Sequence, residues 1–157
     1  VELAEALGVG RATLYRWVGD RERLLADIMW DFASKLFEDV FSQAKGHGKR
    51  VLQHGIRLYM EGLNSSEPLR ALLTQDNELA MRILTRRQGT GVQERAVNLI
   101  TQSVLGLETA GVYQAKMPAH LLAYSVVRII EGFIYSDISA GCEPDLDGAE
   151  LVISQLL

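Results

Sequence analysis

A chain of 157 residues, 48% hydrophobic, is long and apolar enough to bury a core of its own, and its single cysteine, Cys142, excludes an internal disulfide framework and a thiolate zinc site. The formal net charge of -4 speaks against a uniformly basic nucleic-acid binder, yet the charge is unevenly placed. Residues 9–23 set Arg11, Arg16, Arg21 and Arg23 against Asp20 and Glu22, whereas no lysine or arginine follows Arg128, so one end can face a polyanion and the other would be repelled by it.

In chain order, "VELAEALGVGRATLYRWV" predicts helix, tight turn, helix. Ala4 is small where two helices cross and Gly8 marks the turn, while Leu3, Leu7, Val9, Leu14 and Trp17 fall where a three-helix unit needs apolar contacts. The spacing of Leu24, Leu25, Ile28, Met29, Phe32, Leu36, Phe37, Val40 and Phe41 predicts one long amphipathic helix, broken at "AKGHGK". A second apolar stripe runs from Val51 to Leu63 and ends at "NSSEP", where Ser65 or Ser66 reads as the N-cap of a short helix, 68–73. Asp76 or Asn77 caps the next, through Leu84 to "RRQGTG". Thr90 and Gln93 form a T-x-x-Q capping box for a helix reaching Gly111. Pro118 opens a long helix ending near Gly141, and Asp145 or Asp147 caps a last one to Leu157. No alternating strand pattern longer than a few residues occurs, so the fold class is all-α.

Membrane insertion is not expected. The most apolar stretch, 117–140, is interrupted by His120, Arg128, Glu131 and Asp137, short of the roughly 20 apolar residues a span requires. A soluble, cytoplasmic protein follows. Catalysis has no visible machinery: His47, His54 and His120 lack partners at metal-ligand spacing, no nucleophile elbow occurs, and "QGTGVQ" lacks the lysine and preceding strand of a phosphate loop. No enzyme activity, metal or cofactor is expected.

On the second helix Arg11, Ala12, Tyr15 and Arg16 share the solvent side, with Leu14 and Trp17 left for the core. Long donors near a helix N-terminus beside a small residue suit a duplex major groove, and the Tyr15 hydroxyl beside Thr13 and Arg16 suits a phosphate oxygen. The run Gly8, Val9, Thr13, Leu14, Tyr15, then Trp17-Val18 in place of a more usual His-Phe pair, then Arg21, Leu24 and Leu25, resembles the DNA-binding signature of the TetR family of bacterial transcriptional regulators. The likeness is close over residues 1–30. It implies phosphate clamps at Thr13, Tyr15 and Arg21 and groove-facing positions at Arg11, Ala12 and Arg16. It also leads us to expect a further helix upstream of Val1. The expected layout is a helix-turn-helix DNA-binding head, residues 1–25, followed by a larger helical ligand-binding and dimerisation domain, residues 26–157.

A two-fold reader of palindromic double-stranded operator DNA needs a self-complementary surface. Val104 and Leu107 on one helix, with Val126, Ile130, Phe133 and Ile134 on the next, are the candidates for a homodimer bundle. The resemblance further implies a small, largely apolar effector bound in the helical body, with Tyr59, Met60, Met81, Tyr113 and Tyr124 as lining and Arg57, Asn77 or Arg128 as polar anchors. Effector binding would then shift the separation of the two heads through the helix from Leu24 to Phe41, most often releasing a repressor in this family. The rival readings are a helical small-molecule-binding protein and a protein-interaction adaptor, neither binding DNA.

Overall fold

Two glycines begin the first turn. Gly8, at φ 64°, and Gly10 separate a five-residue helix α1 (Glu2–Ala6) from α2 (Arg11–Val18), and only a residue without a side chain adopts the Gly8 conformation without strain. The computed structural model describes residues 2–85 and 91–157. Among the described residues every regular element is helical.

The Asp20 carboxylate accepts from the Arg23 backbone N–H at 2.7 Å and so starts α3 (Arg21–Gln43), whose 23 residues span about 34 Å at roughly 1.5 Å per residue. The helix is unbroken across residues 25 and 26, where the sequence led us to expect the boundary between head and body. The glycine-rich loop 44–48 reverses the chain into α4 (Lys49–Asn64). Where the two helices meet, Phe37 stacks on Phe41 at 4.2 Å and meets Tyr59 edge-on at 5.8 Å. Gly55 permits this approach, since a Cβ there would lie 2.6 Å from the Phe41 ring.

Three predicted caps form. Ser66 accepts from Leu69 N–H at 3.3 Å to open α5 (Glu67–Gln75), Asp76 accepts from Leu79 N–H at 3.2 Å to open α6 (Asn77–Leu84), and Asp145 accepts from Gly148 N–H at 2.8 Å to open α10 (Leu146–Leu156). The expected Thr90–Gln93 box differs. Thr90 lies outside the described residues, and α7 (Val92–Thr109) takes Gly91 as its N-cap without a side-chain bond. Pro118 is the N-cap of α8 (Ala119–Ile130), which runs on through a π-helical segment, Glu131–Ser136, into the single turn α9 (Asp137–Ser139).

α7 packs along α8, while α3 lies against α4, α6 and α7, and α10 closes over α4 and α8. At the centre Met60, Leu73, Leu122, Ile134, Ile138, Ile153, Val104 and Val126 are fully buried. This corrects one expectation: Val104, Val126, Ile130 and Ile134, assigned above to a dimer surface, fill the subunit's own core and have no area left for a partner. A second correction concerns the head. Trp17, expected in the core, is 62% exposed, and Leu3 and Leu7 are exposed with it. The physical reason is cover: among the described elements α2 packs chiefly on the start of α3, and a five-residue α1 cannot shield the opposite side.

Candidate functional site

The face of α2 predicted to meet a duplex is open. Arg11, Ala12, Tyr15 and Arg16 are exposed, Thr13 is half-buried at the helix start, and Arg21 is exposed just beyond the turn at Gly19. Among the described residues Arg11, Arg16, Arg21 and Arg23 hold no ion pair, whereas in the body Arg57, Arg70, Arg82, Arg95 and Arg128 are each tied to a carboxylate. Lone guanidinium groups beside an exposed tyrosine can take phosphate oxygens or base edges from outside, because no internal partner competes.

The base of α3 is anchored to the body by two arginines. Arg95 of α7 donates to Asp27 at 2.8 Å, and its guanidinium carbon lies 5.9 Å from the Trp30 ring centre. Arg82 of α6 reaches Glu22, in the first turn of α3, at 3.3 Å and Glu78 at 2.9 Å. Arg86 and Arg87, which extend this basic run in the sequence, lie outside the described residues.

A buried polar cluster lies between α7 and the π segment. Gln93, 2% exposed, donates through Nε2 to both carboxylate oxygens of Glu131, at 2.9 and 2.7 Å, and Arg128 Nη1 adds a third donor at 2.9 Å. Glu131 is itself 6% exposed; burial holds its carboxyl above the usual carboxylate range although Gln93 and Arg128 both favour the charged form. Tyr59 and Tyr135 lie nearby, each pushed well above the ordinary phenol range, chiefly by burial. Sequence reasoning missed Gln93, Glu131 and Tyr135. The available signal was a lone carboxylate inside the apolar run "IIEGFIY", read only as a break in hydrophobicity.

The eight predicted effector residues do not converge on one cavity. Tyr59 and Met60 are core, and Tyr113 is buried with its hydroxyl donating to the Leu157 carbonyl at 3.3 Å. Arg57 is held at the surface by Glu61, Asp147 and Glu150. Asn77 and Met81 border a shallow depression with Ser136 and Ser139, and Arg128 borders another with Ile129 and Phe133. Tyr124 lines a cleft of about 140 Å³ between α7 and α8, together with Gln93, Glu94, Val97, Asn98 and His120.

Of the predicted dimer residues only Leu107 and Phe133 retain exposed area. The outer side of α7 and α8 instead offers Leu105 and Leu121, both exposed, with half-buried Ile129 and Phe133 and the small Gly106 and Gly132. Among the described residues no group of histidine, cysteine or carboxylate side chains could hold a metal ion, and no described helix is long and apolar enough to cross a membrane.

Comparison with known proteins adds an independent line. The family model described as Tetracyclin repressor-like, C-terminal domain, matches residues 47–157. Among solved structures, the transcriptional repressor QsdR of R. erythropolis, from the TetR family, superposes with a TM-score of 0.87 at 28% sequence identity, covering 99% of this chain and 81% of that one. No curated protein matches the sequence.

Proposed function

The chain belongs to the TetR family of transcriptional regulators, and from that premise we propose that it acts as a homodimeric repressor which leaves its operator when a small effector binds the helical body. One observation carries the DNA-binding half: the exposed cations of α2 and the start of α3 are unpaired among the described residues, in a chain that is otherwise acidic and ties every described body arginine except Arg50 to a carboxylate. Arg11, Ala12 and Arg16 face the groove, and Thr13, Tyr15 and Arg21 hold the flanking phosphates. The head comprises residues 1–25 and the effector and dimer functions lie in residues 26–157, with α3 as the shared element.

Dimerisation uses the outer side of α7 and α8, where Leu105, Leu121, Ile129 and Phe133 form a stripe and Gly106 and Gly132 let a second copy approach closely. That surface supports the reading because Leu105 and Leu121 are exposed, and Ile129 and Phe133, although packed in part against the core, keep some of their area open. QsdR is a transcriptional repressor; we extend the same sign of regulation to this protein.

The experiment is a titration of operator candidates, taken from the DNA flanking its own coding sequence, with the protein across a salt series. A palindrome bound with a steep loss of affinity between 50 and 200 mM salt, on the order of 10³-fold, supports the proposal. Binding that is weak, salt-insensitive and indifferent to sequence overturns it.

A further inference from the structure

Gln93 and Arg95 stand two residues apart in the first turn of α7 and face in different directions. Gln93 points inward to the Glu131 carboxylate at 2.9 and 2.7 Å, and Arg95 points to α3, where it holds Asp27 at 2.8 Å and covers Trp30. One turn of helix therefore joins the buried carboxylate of the body to the helix that carries the head. Any displacement of Gln93 must be absorbed by this turn, because the same backbone carries the Arg95 anchor.

The Glu131 end has the composition of a recognition point. A carboxylate 6% exposed in an apolar core is costly unless its lone pairs are occupied, so a better donor than a neutral amide gains by replacing one. Gln93, although 2% exposed, lines the cleft between α7 and α8, and Glu131 lies directly behind it, so a ligand that displaces the Gln93 amide reaches the carboxylate. Of the side chains that can carry charge, the lining holds Glu94 and His120 and no lysine or arginine, and the Glu131 carboxylate lies behind it, so a cation is favoured there over an anion. Its volume, about 140 Å³, is close to that of a cavity that takes a benzene ring. Glu131 also opens the π segment, a backbone arrangement that is rare within α-helices and occurs frequently at functional sites.

We propose that Glu131 is the effector-sensing carboxylate: a small ligand bearing a protonated amine enters between α7 and α8 and takes Glu131 from Gln93, and Arg95 transmits the shift of α7 to α3 through Asp27 and Trp30. The proposal deepens the effector-responsive regulator described above and rests on that reading.

Benzylamine and benzoate, equal in shape and opposite in charge, are the probes. In a Trp17→Phe background Trp30 is the sole tryptophan and reports the α7–α3 contact. Benzylamine should bind saturably by calorimetry and shift Trp30 emission, while benzoate does neither. Glu131→Gln, isosteric and uncharged, should weaken benzylamine at least about tenfold, the scale of a lost charge-assisted bond. Arg95→Met should leave benzylamine affinity within about twofold but stop the ligand from changing the distance between spin labels placed at position 15 of the two subunits, as expected of a group that couples without binding. Without any ligand, Gln93→Leu should move Trp30 emission in the direction that benzylamine does. Equal binding of benzoate, full affinity in Glu131→Gln, or a folded Gln93→Leu protein with unchanged Trp30 emission each overturns the proposal. Operator binding by the unmodified protein is measured alongside. A protein that binds its operator and fails these tests remains a regulator with a different sensor, and one that passes them without binding DNA loses the regulator reading instead.

Discussion

Arg95 and Asp27 join α7 to α3 across 68 residues of sequence, with side chains 24% and 46% exposed. A pair this open is screened by water, so its worth in stability is below about 1 kcal/mol, to which the Trp30 ring adds roughly 0.5–1 kcal/mol. Its larger role is positional, since it fixes α3 to the body within one turn of residue 25, where the proposed head ends.

A double-mutant cycle isolates that bond. Asp27→Asn should cost less than about 1 kcal/mol in urea unfolding and Arg95→Met more, since it also loses the Trp30 contact, and the double variant should cost less than their sum. The coupling should fade at high salt. Strict additivity at low salt would show that the two side chains, although adjacent, do not depend on one another.

Operator affinity should depend on where an arginine lies rather than on total charge. Arg16→Ala removes an unpaired cation from the exposed side of α2 and should weaken specific binding by about 1–3 kcal/mol. Arg50→Ala removes the same charge at the start of α4, beyond the far end of α3 from the head, and should change affinity by less than about 0.5 kcal/mol. Equal losses in fluorescence anisotropy would mean that net charge alone drives association and would remove Arg16 from the interface.

The helical plan was legible because its signals are local. Ser66, Asp76 and Asp145 cap helices through bonds three residues away, and Gly8 turns the chain through its own φ, so sequence neighbours suffice to find them. What failed is decided by distant neighbours. Periodicity places Val104, Val126, Ile130 and Ile134 on apolar faces without saying whether the cover is the same chain or a second copy, and the structure assigns them to the subunit's own core. Trp17 has the spacing of a buried stripe and is exposed because no described helix lies over it. The Gln93–Glu131 pair spans 38 residues and involves a π segment, which no 3.6-residue pattern encodes.

Close packing at Gly55 yields a stability prediction. The Cβ of Gly55→Ala would fall 2.6 to 2.8 Å from three atoms of the Phe41 ring, and that ring is already stacked on Phe37, which meets Tyr59. Alanine favours helix over glycine by roughly 1 kcal/mol, but the forced rotation of a packed ring costs about 1–3 kcal/mol, so the net change should be destabilising. Pairing Gly55→Ala with Phe41→Leu should recover part of the loss. A Gly55→Ala protein with a higher melting temperature than the parent would show that Phe41 swings aside freely.

Acid titration gives the sharpest test of the buried carboxylate. Burial raises the folded-state value of Glu131 above its ordinary 4.5, so the folded protein holds this proton more tightly than the unfolded chain does. The sign follows: relative to neutral pH, the group favours the folded state when both forms are protonated, below 4.5, and this advantage is lost as the pH rises through the folded value, leaving a buried charge that Gln93 and Arg128 only partly offset. Glu131→Gln abolishes the titration while keeping the shape. The variant should therefore gain most over the parent at pH 7, and the gap should narrow steadily toward pH 4.5. The groups facing Glu131 are Gln93 from α7, Arg128 one turn earlier and Tyr135 one turn later; all three stay in place in Glu131→Gln, so the pH-dependent difference between the two proteins reports the carboxylate. Stability curves that stay parallel from pH 7 to 4.5 would mean that the carboxylate is as well solvated in the fold as in the open chain.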